Sequence, residues 1–401
     1  RDSSTSRGLG DVYKRQTDRS LYFYNGVSAT RGEFTIEILP LYPGALVFDG
    51  VDDYGTCDNF PILTKEKGYT VVALRQYLFN ATDKIRSLVT NAPSSIVSRS
   101  TLTFELINSK GEKINFSFGK GNLVSDFEPN VFSYMTSKSC NGKTITPGDV
   151  TESNERILVG NFSENGEYGS NVAIWELVFL DHDATEEELT KIKDYFVKTY
   201  PWLFPDQAWT VVGKTNEDED RATIANITGN GNDLVLSNFS FAEGSGYNEQ
   251  GEYAGYLVTD GVDDKAVSKQ FKFGENFTVI LDFKFPVKKI SYCGFDLSSK
   301  VRIQNLQGSG VYVVLKGNKT LIPSNVVRAV TSEGKVYDEN WNEYNIVPGN
   351  ISSNYTMVNL GFDGSNQFAE SATKLAGIYS SALSKDDCIK AYNYLQTLKS
   401  K

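Results

Sequence analysis

The chain has 401 residues, 40 Lys+Arg against 50 Asp+Glu and a single histidine, for a formal net charge of −10. That length supports about two or three domains with real cores, and 40% hydrophobic residues with 24 Phe and 22 Tyr exclude generic disorder. The acidic balance excludes phosphate-backbone binding, the lone His182 leaves no material for His-built zinc sites or Ser-His and Cys-His dyads, and no run approaches the roughly 18 uncharged apolar residues of a membrane-spanning helix.

The chain begins at Arg1 without a Met, so the native N-terminus is expected to be missing. Arg1 to Gln16 resembles translated sequencing adapter and has no hydrophobic period, so residues 1–16 are expected to be an artefact or disordered. Residues 17–33 read as a linker or a remnant strand. From residue 34 the pattern turns to β. LVFDGVDDY at Leu46 to Tyr54 precedes a strand-like run, YTVVALRQYLF, from Tyr69. Leu102 to Ile107 and Ile114 to Phe118 flank Asn108-Ser109-Lys110-Gly111, a hairpin turn by composition. Val172 to Leu180 then runs into Thr185 and Glu188, spaced as a capping box. Apolar Leu189, Ile192, Tyr195 and Phe196 follow at helical spacing, and Pro201 must end the helix.

The pattern repeats. LVTDGVDDK at Leu257 to Lys265 restates the opener 211 residues later, and FTVILDFKF from Phe277 restates the strand after it. Val311 to Leu315, the turn Lys316-Gly317-Asn318 and Met357 to Leu360 continue the β pattern. Leu375 to Tyr379 leads to Ser384 and Asp387, an Asp-for-Glu variant of the box, and to Cys388, Ala391, Tyr392 and Leu395 at helical spacing. The prolines at 201 and 205 mark the boundary, giving domains at 34–204 and 205–401. Gly213 to Phe241 has no match in the first half. Many short alternating strands with Gly/Asn turns give an all-β chain, two tandem sandwiches each closed by a short C-terminal amphipathic helix.

The opener FDGVDD at Phe48 to Asp53, ITGNGNDLVLSNF at Ile227 to Phe239 and LAGIYSSALSKDD at Leu375 to Asp387 resemble concanavalin A-like lectin/glucanase domains of the laminin-G-like kind. The likeness covers both halves from about residue 34 onward. The opener and GKTNEDEDR are similar to repeated domains in proteins of gut bacteria and their phages. The resemblance implies a jelly-roll fold and recognition of glycans or protein surfaces. Fold alone does not settle function.

The glucanase branch implied by that resemblance carries E-x-D-x-E on one strand, with both carboxylates on one face. No such string occurs; Glu186-Glu187-Glu188 opens a helix, and Asp218-Glu219-Asp220 falls in a loop. Asp49, Asp52 and Asp53, with Asp260, Asp263 and Asp264, place three carboxylates within five residues, a set that can gather around calcium. Turn chemistry accounts for the same residues, since Asp-Gly supplies positive φ and Asx side chains bond their own backbone. Sugar binding needs a flat aromatic face beside planar amides or carboxylates. Tyr337, Asp338, Asn340, Trp341, Tyr344 and Asn345 supply both within nine residues, read as a loop or exposed hairpin; Trp341 capping the sandwich is the alternative. Cys57, Cys140, Cys293 and Cys388 lie far apart, as thiols or as one disulfide per half.

The expected function is non-catalytic recognition of a glycan or surface polysaccharide by a secreted, cell-surface or virion-associated protein. Two alternatives stand beside it: structural spacer domains of a phage tail or surface fibre contacting protein partners, and a glycoside hydrolase. Nucleic acid and a membrane span are not expected.

Overall fold

A computed structural model describes residues 41–78, 86–90, 102–107, 112–123, 131–161, 169–285, 291–298, 300–305, 311–351, 355–364 and 367–399. Residues 1–33 and the turn Asn108 to Gly111 lie outside the described residues. The chain divides into two compact units, with the cut between Lys193 and Asp194 falling inside the helix Glu186–Thr199, which begins in unit 1 and is counted with it. Both are antiparallel sandwiches, so the structure is all-β apart from two helices among the described residues. Neither helix is long and apolar enough to cross a membrane.

Unit 1 comprises β1 (Leu46–Asp49), β2 (Gly55–Asp58), β3 (Thr70–Tyr77), β4 (Arg86–Thr90), β5 (Leu102–Ile107), β6 (Lys113–Ser117), β7 (Lys120–Leu123), β8 (Phe132–Thr136), β9 (Ser139–Cys140), β10 (Lys143–Thr144), β11 (Arg156–Val159) and β12 (Asn171–Leu180), then α1 (Glu186–Thr199). One sheet runs β1-β12-β3-β8-β9-β10 and the other β2-β11-β4-β5-β6-β7. Alternation sends Val71, Ala73, Val172 and Met135 from the first sheet, and Leu88, Leu102, Phe104 and Ile157 from the second, into one core. Each such side chain contributes roughly 1.5–3 kcal/mol by leaving water. Within the sandwich Arg75 of β3 forks onto Glu105 of β5, and Tyr77 donates its hydroxyl to the same carboxylate at 3.0 Å. The pair therefore joins one sheet to the other.

Unit 2 comprises β13 (Gln207–Thr210), β14 (Thr223–Ile224), β15 (Leu234–Ser237), β16 (Gly246–Asn248), β17 (Tyr256–Asp260), β18 (Lys265–Val267), β19 (Phe271–Lys272), β20 (Thr278–Lys284), β21 (Ser291–Leu297), β22 (Val301–Asn305), β23 (Val311–Leu315), β24 (Asn318–Ile322), β25 (Val326–Thr331), β26 (Lys335–Tyr337), β27 (Glu343–Asn345), β28 (Tyr355–Thr356), β29 (Val358–Leu360) and β30 (Glu370–Tyr379), then α2 (Lys385–Gln396). Its sheets run β16-β17-β30-β20-β25-β26-β27, with β13 also on β30, and β14-β15-β18-β29-β21-β22-β23-β24. The core between them is aromatic, with Trp209, Phe277, Phe283, Phe285 and Phe295 all buried.

Every described strand of unit 1 has a counterpart in unit 2. The path β17-β30-β20-β25-β26-β27 repeats β1-β12-β3-β8-β9-β10, and β18-β29-β21-β22-β23-β24 repeats β2-β11-β4-β5-β6-β7. Small fittings repeat too. Thr70 donates its hydroxyl to the His182 carbonyl and accepts from the Ala184 amide, both at 2.8 Å. Thr278 does the same with the Ser381 carbonyl and the Leu383 amide, also at 2.8 Å. What has no counterpart strand among the described residues of unit 1 is the run β13 to β16, which contains the stretch Gly213 to Phe241 that the sequence leaves unmatched, and the small β19–β28 pair.

The helix starts correct the sequence reading in one detail. Thr185 and Glu188 form the reciprocal box, each amide taken by the other's side chain, at 2.8 and 3.2 Å. In α2 the Ser384 hydroxyl accepts from the Asp387 amide, but Asp387 takes the hydroxyl of Ser384 rather than its amide. Aspartate is one methylene too short for the return bond. Spacing also overstates the buried face of α1: Phe196 is buried, whereas Tyr195 is exposed.

Candidate binding site

The hairpin β26–β27 pairs Val336 with Tyr344 and Tyr337 with Glu343 at the end of a sheet. Its five-residue loop is organised by one carboxylate. Asp338 accepts the Asn340 amide, the Asn342 amide, the Asn342 side-chain amide and the Tyr344 hydroxyl, each at 2.9 Å. Burial works against its ionisation, but the bonds from Asn342, Tyr344 and Asn340 outweigh burial and hold the carboxyl below its ordinary range. The Trp341 amide donates to the Asp338 carbonyl at 3.1 Å, which carries Trp341 to φ +59°. A bulky side chain at positive φ is a steric outlier, costing roughly 1–2 kcal/mol.

The strain presents the indole at the rim. Trp341 is half-buried, meets the edge of Tyr392 with ring centroids 5.8 Å apart and interplanar angle 78°, and lies 6.1 Å from the Tyr337 ring. Tyr392 on α2 is fixed in turn. Its hydroxyl donates to Asp282 of β20 at 3.1 Å, and the Arg328 guanidinium lies over its ring at 4.7 Å. Asp282 also accepts from Tyr256 at 2.8 Å, from Gln396 at 2.9 Å and from Arg328. Burial opposes ionisation there as well, yet the Arg328 charge and these bonds keep Asp282 below the usual carboxylate range.

Of the six sugar-binding residues expected from sequence, the structure leaves some at the surface and consumes others. Asn340 and Asn345 are exposed, and Trp341 and Tyr344 half-exposed. Tyr337 and Asp338 are buried, Asp338 as the keystone of the loop; burial pushes the Tyr337 phenol up to about 12. Asn345 accepts from Lys335 at 2.8 Å, and Lys335 also pairs with Glu343, whose carboxyl that bond holds low. Exposed Asn342 was not among the six. Tyr392, Asp282 and Arg328 were missed as well. The available signal was Asp282 itself, a carboxylate inside the apolar run FTVILDFKF.

The matching hairpin of unit 1, β9–β10, closes with Asn141-Gly142, both at positive φ and with no aromatic side chain. That is the ordinary two-residue solution. The fold therefore closes here without a tryptophan, and the longer Asp338 to Asn342 loop is an addition in unit 2.

The two aspartate turns share two hydrogen bonds, and the second adds a third, from the Asp263 amide to Asp260 at 3.4 Å. Asp53 accepts the Asp49 amide at 3.0 Å and Asp49 the Val51 amide at 2.7 Å; Asp264 accepts the Asp260 amide at 2.9 Å and Asp260 the Val262 amide at 2.8 Å. Gly50 and Gly261 both take positive φ, and a Cβ on Gly261 would lie 2.7 Å from the Glu370 amide nitrogen. In each turn one carboxylate atom per aspartate lies within 4.8 Å of the other two. The surroundings differ. Asp53 is partly exposed, whereas Asp264 is fully buried, and burial pushes its carboxyl up to about 6. The loop Asp218-Glu219-Asp220 is occupied structurally, since Asn216 beside it holds the Tyr247 backbone and Asp218 accepts the Thr215 amide.

All four cysteines are free; Cys57 is exposed and the other three are buried.

No model of a known protein family and no curated protein matches the chain. Among solved structures it is similar to the Trypanosoma rangeli sialidase in complex with sialic acid, at 10% identity and TM-score 0.34, over 72% of this chain and 54% of that one. The chain thus spans about half the length of the sialidase structures it matches. It is also similar to a tryptophan-to-alanine mutant of HCR/D, at 11% identity and TM-score 0.31, over 85% of this chain and 91% of that one. Likenesses this distant assign neither a family nor an activity.

Proposed function

We propose that the chain is a recognition module that binds carbohydrate through the β26–β27 hairpin, and that it works outside the cell or on a virion. The observation that carries this reading is the conformation of Trp341. Strain persists where surrounding structure over-determines it and where it serves a task. Here a buried carboxylate with four donors and an edge-on tyrosine hold an indole face beside the exposed amides of Asn340 and Asn342, while the sister hairpin shows that folding does not require it. An aromatic face with flanking amides is what a sugar ring needs, C–H surface on the ring and hydroxyls on the amides.

Binding is favoured over hydrolysis because the carboxyls around Trp341 are committed. A general acid needs a raised pKa, and Asp338 and Glu343 are both held low by their partners.

The test is a glycan array with the whole chain and with Trp341→Ala. Saturable binding that falls at least about tenfold in the variant, with an unchanged thermal midpoint, supports the reading; about 1.4 kcal/mol of lost contact gives that factor. Equal binding by both proteins would remove the site, and no binding to any glycan would turn the reading towards the structural role, with a protein partner to be sought.

A further inference from the structure

Each polar group beneath the Trp341 site can be matched with its counterpart in unit 1. Strands β3 and β20 pair with β12 and β30 in the same register and bulge at the same step, so Leu74 stands where Asp282 stands. Phe132, paired with Leu74, takes the place beside it that Arg328 takes beside Asp282. Counting from the two helix caps sets Lys193 against Tyr392 and Val197 against Gln396, and the offset of the openers sets Ala45 against Tyr256. No residue of the Asp282 network is kept. Unit 1 fills the same corner with Leu74, Phe132 and the Lys193 ammonium, 5.9 Å from the Phe132 ring centroid. Apolar packing is often at least as stable as a buried ion pair, so seating the helix does not require the network.

What the network does is fix two rings. Tyr392 and Tyr256 both spend their hydroxyls on Asp282, and rigid rings lose little freedom on binding. Beyond Tyr256 lies a second corner with sugar-binding chemistry. The Lys284 ammonium sits over the Tyr256 ring at 4.4 Å and over the Tyr253 ring at 4.7 Å. It donates to the Glu252 carbonyl at 3.0 Å and has no ion pair among the described residues, so it has donors to spare. Exposed Glu252, beside Tyr253, adds an acceptor. Trp341, Tyr392, Arg328, Tyr256, Lys284 and Tyr253 are all half-buried and follow one another in a line. That line runs from the end of β26 across β25, β20 and β30 to β17, roughly 19 Å at the usual interstrand spacing.

We propose that the Trp341 site and the Tyr253, Lys284 and Tyr256 corner are the two ends of one binding strip, which takes an extended oligosaccharide along its length rather than a single terminal sugar.

The proposal rests on the reading of Trp341 as a sugar platform, and its test separates the two. The whole chain is assayed against homologous oligomers of glucose, mannose, galactose and N-acetylglucosamine, from disaccharide to hexasaccharide. A disaccharide is too short to reach from the indole to Tyr253, whereas a hexasaccharide is long enough. Affinity should rise at least about tenfold over the series. Tyr253→Ala with Lys284→Ala should cancel that rise, bringing the hexasaccharide down to the affinity of the disaccharide, while Trp341→Ala removes binding at every length. Tyr42→Ala with Gln76→Ala, the matched positions of unit 1, should change neither. Thermal melting checks that each variant is folded. Affinity independent of length, or a rise that survives the double substitution at Tyr253 and Lys284, would overturn the strip and leave the Trp341 site standing. No binding at any length would overturn both.

Discussion

Removing the carboxylate of Asp282 should do two things at once, because the same group seats α2 and, through Tyr392, sets the position of Trp341. Asp282 is 4% exposed and accepts from Arg328, Tyr256, Tyr392 and Gln396. Asp282→Ala strands a guanidinium whose side chain is only 16% exposed. Removing one partner of a buried pair costs about 3–5 kcal/mol, and the remaining access of Arg328 to water places this case near 3. For a unit of this size that is a fall of about 6–12 °C in thermal midpoint. Replacing both partners, as in Asp282→Leu with Arg328→Met, should recover most of the loss, since an apolar pair of similar volume needs no compensation. The assay is denaturant unfolding followed by circular dichroism, with a double-mutant cycle to isolate the coupling. The pH dependence has a definite sign. A carboxyl held below its ordinary range contributes stability that is present above about pH 4 and lost as pH falls through its folded pKa, so Asp282→Asn should flatten the acid limb. A cost below about 1 kcal/mol, or a coupling below about 0.5 kcal/mol, would refute the reasoning.

Trp341→Gly removes a left-handed cost of about 1–2 kcal/mol and aromatic contacts of about 0.5–1.5, so stability should move by no more than about 1.5 kcal/mol while glycan binding is lost; a large destabilisation would make Trp341 a structural cap. Asp338→Ala leaves the loop's amides without their acceptor, and should cost about 1–3 kcal/mol and abolish binding together, read by melting and by the array. The single His182 donates to the carboxylates of Glu188 at 3.0 Å and Asp181 at 3.3 Å when protonated, and these bonds raise its pKa above 6.5. Its support of the α1 start is thus present below about pH 6.5 and fades as pH rises through the folded value; Glu188→Gln should lower the midpoint in an NMR titration. Ellman's reagent should find one fast thiol, Cys57, with Cys140, Cys293 and Cys388 reacting only on unfolding.

Much of the architecture was legible because it was written twice. The paired openers at Leu46 and Leu257, the strands from Tyr69 and Phe277, and the closers with Thr185 and Ser384 each became matching elements, since period-two alternation and capping are local rules. The candidate site was legible in part. Trp341 and Asn340 stand out as an aromatic and an amide in a polar stretch, but Asp338 looked like a ligand contact and is the loop's internal keystone. A carboxylate fit for a sugar hydroxyl is equally fit for a backbone amide, and spacing does not distinguish the two. Tyr392, Asp282 and Arg328 meet from a helix and two strands, so no local window contains them. The left-handed φ of Trp341 left no compositional trace, because Asn and Gly are the residues that announce such a turn.

The topological repeat gives every described strand of unit 1 an internal reference in unit 2. Where β9 and β10 meet in two residues and β26 and β27 meet in five, around nearly the same framework, the tip of that hairpin is a place where length and chemistry change without disturbing either core. It is therefore a natural grafting point. Transplanting Asp338 to Asn342 in place of Asn141-Gly142 would carry the indole but not Tyr392 and Asp282, and would separate what the loop supplies from what its platform supplies.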